Sequence, residues 1–129
     1  MKIKHFDQQS LWDRVAGDPE LLRELVDLFA AEAPRMLARI EQAIKDGSPS
    51  GLEKASHKIK GSVLQFSAHT AAAIALKMEE NGRRGSITDA EALLKKLKYE
   101  VDLLQKTLHV MVSDKLEDFR SRRKQCQRR

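Results

Sequence analysis

The chain has 129 residues, 33% charged and 41% hydrophobic, with 24 Lys and Arg against 19 Asp and Glu for a formal charge of +5. That length holds one domain with its own core and excludes a two-domain enzyme with a separate cofactor lobe. Aromatics at 5%, six glycines and three prolines disfavour sheet sandwiches and base-stacking surfaces, and the single cysteine, Cys126, excludes an internal disulfide or a cysteine-based zinc cluster.

The opening residues carry no apolar signal core, and no run approaches the roughly 18 apolar residues of a membrane helix. The expectation is a reduced, cytoplasmic, all-helical domain without membrane insertion. A short first helix spans about 6–15, with Phe6, Leu11 and Val15 available for packing. Asp18 then suits an N-cap, Pro19 the first helical position and Glu20 the positive end of the helix dipole. From there Leu22, Leu25, Phe29, Ala33, Met36, Ile40 and Ile44 recur at spacings of three and four, the period of an amphipathic helix. It should run to about Asp46, stop at Gly47 and bend at Pro34, whose ring removes a ladder bond.

Ser48 and Pro49 repeat the cap-then-proline pattern and open a third helix with the stripe Leu52, Ala55, Ile59, Val63 and Phe66. It should end near 67 or 68. An alanine-rich fourth helix is expected over about 70–81, stopped by Gly82 and followed by a basic loop, Arg83-Arg84-Gly85-Ser86. Thr88 and Glu91 have capping-box spacing, which predicts Thr88 as cap with Glu91 reaching back. The last helix carries Leu94, Leu97, Val101, Leu104, Leu108 and Met111, the stripe an antiparallel bundle requires. The domain is expected over 1–112, with 113–129 a basic tail, either a helix extension or disordered.

The third helix has a face the core does not need. Taking Leu52 as zero and about 100° per residue, the apolar stripe centres near 340°, His57 falls near 140°, Gly61 near 180°, Lys60 near 80° and Leu64 near 120°. His57 and Gly61 therefore point outward. A mid-helix glycine is unfavourable by roughly 1 kcal/mol against alanine, so Gly61 asks for a reason, and clearing space beside the imidazole is one. Leu64 on the same side suits a protein partner better than it suits folding. Lys60, three residues on, can aim its ammonium at an anion near the ring. An outward imidazole, a clear approach and a nearby cation suit phosphoryl transfer through a histidine nitrogen. His5, His69 and His109 lack this setting and read as surface residues.

The segment Ala55-Ser56-His57-Lys58-Ile59-Lys60-Gly61-Ser62 resembles the signature of histidine-containing phosphotransfer (HPt) domains of bacterial multistep phosphorelays, roughly Ala-His-x-Leu-Lys-Gly-Ser. Ser56 stands for the usual alanine and Ile59 for the usual leucine. Phe6-Asp7, Gly17-Asp18-Pro19-Glu20-Leu21-Leu22 and Phe29-x-x-Glu32-Ala33-Pro34 resemble the family's opening, so the likeness covers about 5–112. It departs at Ser67-Ala68, where the family commonly has glycine before alanine.

The resemblance implies an up-and-down antiparallel four-helix bundle with a short extra N-terminal helix. It implies that His57 accepts the phosphoryl group, Lys60 stabilises it, Gly61 leaves room for the partner's active site and Ser62 is the family's small polar residue. Less directly, it places Glu79 against the other imidazole nitrogen and Gln65 at a position often Asn or Gln. The partner surface would include Leu64, Leu11 and Leu21, with Lys54 and Lys58 opposite an acidic receiver site. Partners would be response-regulator receiver domains and a hybrid sensor histidine kinase, of which the chain is either a free-standing carrier or the C-terminal module. A monomer is expected, without nucleic acid, and without a cofactor, magnesium belonging to the receiver. No phosphate-cradling glycine loop or nucleotide signature is present, so neither ATP binding nor self-phosphorylation is expected.

The +5 charge supports an alternative, a basic helical nucleic-acid-binding or scaffolding protein. Residues 113–129, however, hold seven Lys and Arg against three Asp and Glu, leaving 17 against 16 in 1–112. A histidine-kinase dimerisation domain would normally carry an acidic residue right after its histidine, where this chain has Lys58.

Overall fold

The computed structural model describes residues 7–127, with side chains through Arg123. Phe6, expected on the first helix, and the side chains of Lys124, Cys126, Arg128 and Arg129 lie outside the described residues. The chain forms α1 (Gln8–Arg14), α2 (Pro19–Lys45), α3 (Pro49–Leu64), α4 (His69–Arg83) and α5 (Ala90–Gln127). The first three begin where side-chain caps are available. Asp7 accepts from the Ser10 N–H, Asp18 from those of Glu20 and Leu21, and Ser48 Oγ from that of Gly51. Helix α2 runs unbroken through Pro34.

Helix α2 packs on α3 and α5, and α4 closes the ring by packing on α3 and α5. Short connections at 46–48, 65–68 and 84–89 make sequential neighbours antiparallel, which gives the expected four-helix bundle with an extra N-terminal helix. The core is the predicted set of stripes: Leu22, Phe29, Met36 and Ile40 from α2, Leu52, Ile59 and Val63 from α3, and Leu94 through Met111 from α5. Val26 and Ala43 join it, while Leu25 and Ile44 lie at its edge. Phe66, just past α3, is buried with its ring 5.1 Å from that of Phe29.

Several expectations are corrected. Leu11, expected on the partner surface, is fully buried. Helix α1 is tied down at both ends, by the Asp7 N–H on the Ser67 carbonyl and by Arg14 Nη1 on the carbonyls of Leu64 and Gln65, so its one apolar face lies on the bundle. Gly82 does not end α4 but is buried inside it, and Gly85, at φ +81°, follows the helix instead. Thr88 is not the residue before α5. Asp89 is, in the left-handed region at φ 65°, and the Thr88 N–H donates to Ser86 Oγ. Helix α5 continues past 112, and there Lys115 Nζ stands 4.5 Å over the Trp12 ring and Leu116 packs against the core. Ser67 has φ 55°, a conformation glycine adopts freely.

Gly82 explains how closely α3 and α4 approach. A Cβ there would lie 2.5 Å from the Pro49 carbonyl oxygen and 2.7 Å from the Glu53 nitrogen, both backbone atoms that cannot step aside. Gly82→Ala therefore forces the helices apart. Overpacking of this kind is unfavourable by about 1–3 kcal/mol or more, which exceeds the roughly 1 kcal/mol of helix propensity gained. The expected result is a lower denaturant midpoint in chemical unfolding.

Candidate functional site

The contact at Gly82 fixes what lies one turn away. With Gly82 against Glu53, the antiparallel helices bring Glu79 of α4 level with His57 of α3. The His57 side chain is 67% exposed, while that of Glu79 is only 5% exposed. His57 Nδ1 lies 2.9 Å from Glu79 Oε2. A carboxylate only accepts, so Nδ1 carries the proton, and in the neutral imidazole Nε2 keeps its lone pair. Lys60, one turn on, donates to Glu79 Oε1 at 2.6 Å. Arg83, one turn along α4, donates to Glu79 Oε2 at 3.0 Å and, through Nε, to Glu53 Oε2 at 3.1 Å.

Glu79 is thus a buried carboxylate with three donors. Burial pushes its carboxyl up, but hydrogen bonds from Lys60 and His57, together with their charges, outweigh that and hold it below the ordinary carboxylate value. Its ionised form can balance positive charge on the imidazole.

The residues expected at the site separate into groups. His57, Lys60 and Glu79 meet directly. Gly61 is exposed on the same face, and a Cβ there would meet nothing within 4 Å. Ser62 is half-buried and donates to Met36 Sδ at 3.3 Å, so it ties α3 to α2. Gln65 caps α3, about 12 Å further along the helix from His57 at a rise of about 1.5 Å per residue. It lines a small groove with Leu25, Leu28 and Glu32. Leu64 and Leu21 are 37% and 39% exposed. Lys54 and Lys58 are exposed and line a second groove, between α2 and α3, with Arg39 and Asp46.

Sequence reasoning missed four features. Leu28, 60% exposed, lines the groove beside Gln65, and Arg14 anchors the end of α3. Arg83 is the third donor to Glu79. Its signal was present, since Arg83 follows Glu79 by four residues, but a helix ending at Gly82 leaves Arg83 in a loop. Ser56 is also fully buried, and its Oγ has no hydrogen-bond partner among the described residues. At about 40° on the wheel it sits on the side of α3 that α4 covers.

The Hpt domain family model matches residues 24–107. Among solved structures, the crystal structure of histidine-containing phosphotransfer protein B (HptB) from Pseudomonas aeruginosa PAO1 is similar, with a TM-score of 0.81 and 21% identity over 88% of this chain and 98% of that one. Comparison with curated proteins finds no match.

Gly61→Ala adds a methyl group in open space on a helix, so it should raise stability by about 0.5–1 kcal/mol in urea unfolding. Glu79→Gln should lower stability near neutral pH by about 1–3 kcal/mol, since it leaves charged donors without their carboxylate. Because the folded carboxyl is held low, the stability it supplies is full above the ordinary carboxylate value and is lost as pH falls through the folded one. The gap between wild type and Glu79→Gln, read from denaturant midpoints across an acid series, should therefore narrow on acidification.

Proposed function

This chain belongs to the Hpt domain family, and from that membership we propose that it is a phosphorelay carrier in which His57 takes a phosphoryl group from a receiver-domain aspartyl phosphate and passes it to another receiver aspartate. The observation that carries this reading is the exposed imidazole whose Nδ1 is held by a buried carboxylate, which leaves Nε2 as the nucleophile.

In the forward step the Nε2 lone pair attacks phosphorus. The phosphorus–oxygen bond to the aspartate breaks, and its electron pair leaves on the carboxylate. The new nitrogen–phosphorus bond places positive charge on the ring, which keeps its Nδ1 proton and shares it with Glu79. Delivery to the next receiver runs the same exchange in reverse. Lys60 stands on the same face to stabilise the phosphoryl oxygens, and the open space beside Gly61 admits the receiver's active site.

The receiver would meet Leu64, Leu21 and Leu28 as an apolar patch, with Lys54 and Lys58 facing its acidic pocket. Magnesium, on this reading, is the receiver's. The chain itself neither binds ATP nor phosphorylates itself, acts as a monomer in the cytoplasm and needs no nucleic acid. A hybrid sensor kinase is, on this reading, a partner alongside the receiver domains.

Incubation with a phosphorylated receiver domain tests the reading. Wild type should acquire an acid-labile label, and His57→Gln should acquire none. Equal labelling of both would contradict it. Gly61→Ala, although more stable, should accept the label at least about tenfold more slowly, because the methyl group enters the space the receiver occupies.

A further inference from the structure

We infer that Arg83 is a positioning residue for phosphoryl transfer, acting on His57 through Glu79. The inference rests on the carrier reading above.

Glu79 presents two oxygens to three donors. Lys60 holds Oε1, while His57 Nδ1 and Arg83 Nη2 share Oε2. The two cations are held differently. Lys60 is a single ammonium on a flexible four-carbon stem. Arg83 is a planar fork fixed at two points, with Nε on Glu53 of α3 and Nη2 on Glu79 of α4. It therefore clamps the two helices at the level of the site and cannot lose its charge.

The need for a second cation follows from the chemistry at His57. A phosphoryl group on Nε2 brings negative charge to the face where Lys60 stands. Lys60 can turn another of its three N–H donors to that group, but its single charge is then divided between the phosphoryl oxygens and Oε1. Glu79 is nearly fully buried, and the positive ring formed at His57 must offset the attached phosphoryl group as well as the carboxylate, so Glu79 is poorly compensated without a further cation. It would then recapture Lys60 or take up a proton, and in either case the transfer site would lose a component. Arg83 removes that conflict. It keeps Glu79 charged and in place, so the Nδ1 proton retains its acceptor while Lys60 turns toward the phosphoryl group.

The test is the rate of phosphoryl uptake from a phosphorylated receiver domain, measured in single and double variants of the full chain. Arg83→Ala should slow uptake about tenfold, whereas Arg83→Lys, which retains a cation within reach of Glu79, should stay within about threefold of wild type. In the Glu79→Gln background the carboxylate that Arg83 acts on is gone, so adding Arg83→Ala should change the rate by less than about twofold. Circular dichroism melts of each variant show that the rates are read on folded protein. Uptake by Arg83→Ala equal to wild type would overturn the inference while leaving the carrier reading intact. So would an Arg83→Ala effect of the same size with and without Glu79, since Arg83 would then act directly on the phosphoryl group or the receiver. Failure of the wild type itself to take up label would overturn both.

Discussion

A buried carboxylate is the point on which the site depends. Glu79 sits between two helices, out of water, and its charge is tolerated only because His57, Lys60 and Arg83 each donate to it. That requirement fixes the geometry around it. The imidazole is turned so that Nδ1 faces inward, Lys60 is drawn to the same face, and α3 and α4 must approach closely enough for one side chain to bridge them. Gly82 supplies the approach, because its missing Cβ is what lets the α4 backbone lie against Pro49 and Glu53. Site and fold are thus one construction.

Two glycines show how differently the same residue can be used. Gly82 is buried and filled in by backbone, so the packing of the bundle demands it. Gly61 is exposed, with nothing near the position its Cβ would take, so the fold does not demand it. It weakens the helix for no structural return, which fits a surface that must stay clear for a partner. The charge distribution follows the same economy. The bundle through residue 112 is nearly balanced, and the cations that matter, Lys60 and Arg83, are set by position around one carboxylate.

Much of this was legible in the sequence because it is periodic. The stripes of α2, α3 and α5 name the core almost residue by residue, and the caps at Asp18 and Ser48 mark helix starts correctly. The outward placement of His57 and Gly61 follows from the same wheel, and the family resemblance supplied Glu79. What was not legible depends on which elements touch. A glycine near a helix end reads as a stop, yet Gly82 is a contact with α3, and that misreading hid Arg83. The sequence offers Leu11 both for packing and for the partner surface, and hydrogen bonds at both ends of α1 lay it on the bundle. Ser56 lies at the edge of the apolar stripe, yet it is fully buried in the bundle.

The central claim is that Glu79 holds the His57 proton on Nδ1 and leaves Nε2 as the free nucleophile. Long-range nitrogen–proton NMR of the neutral imidazole reads this directly, since the two ring nitrogens differ in shift according to which carries the proton. Wild type should show His57 mainly as the Nδ1–H tautomer, and Glu79→Gln should shift the ring toward Nε2–H. A wild-type imidazole already in the Nε2–H form, unchanged by Glu79→Gln, would contradict the account.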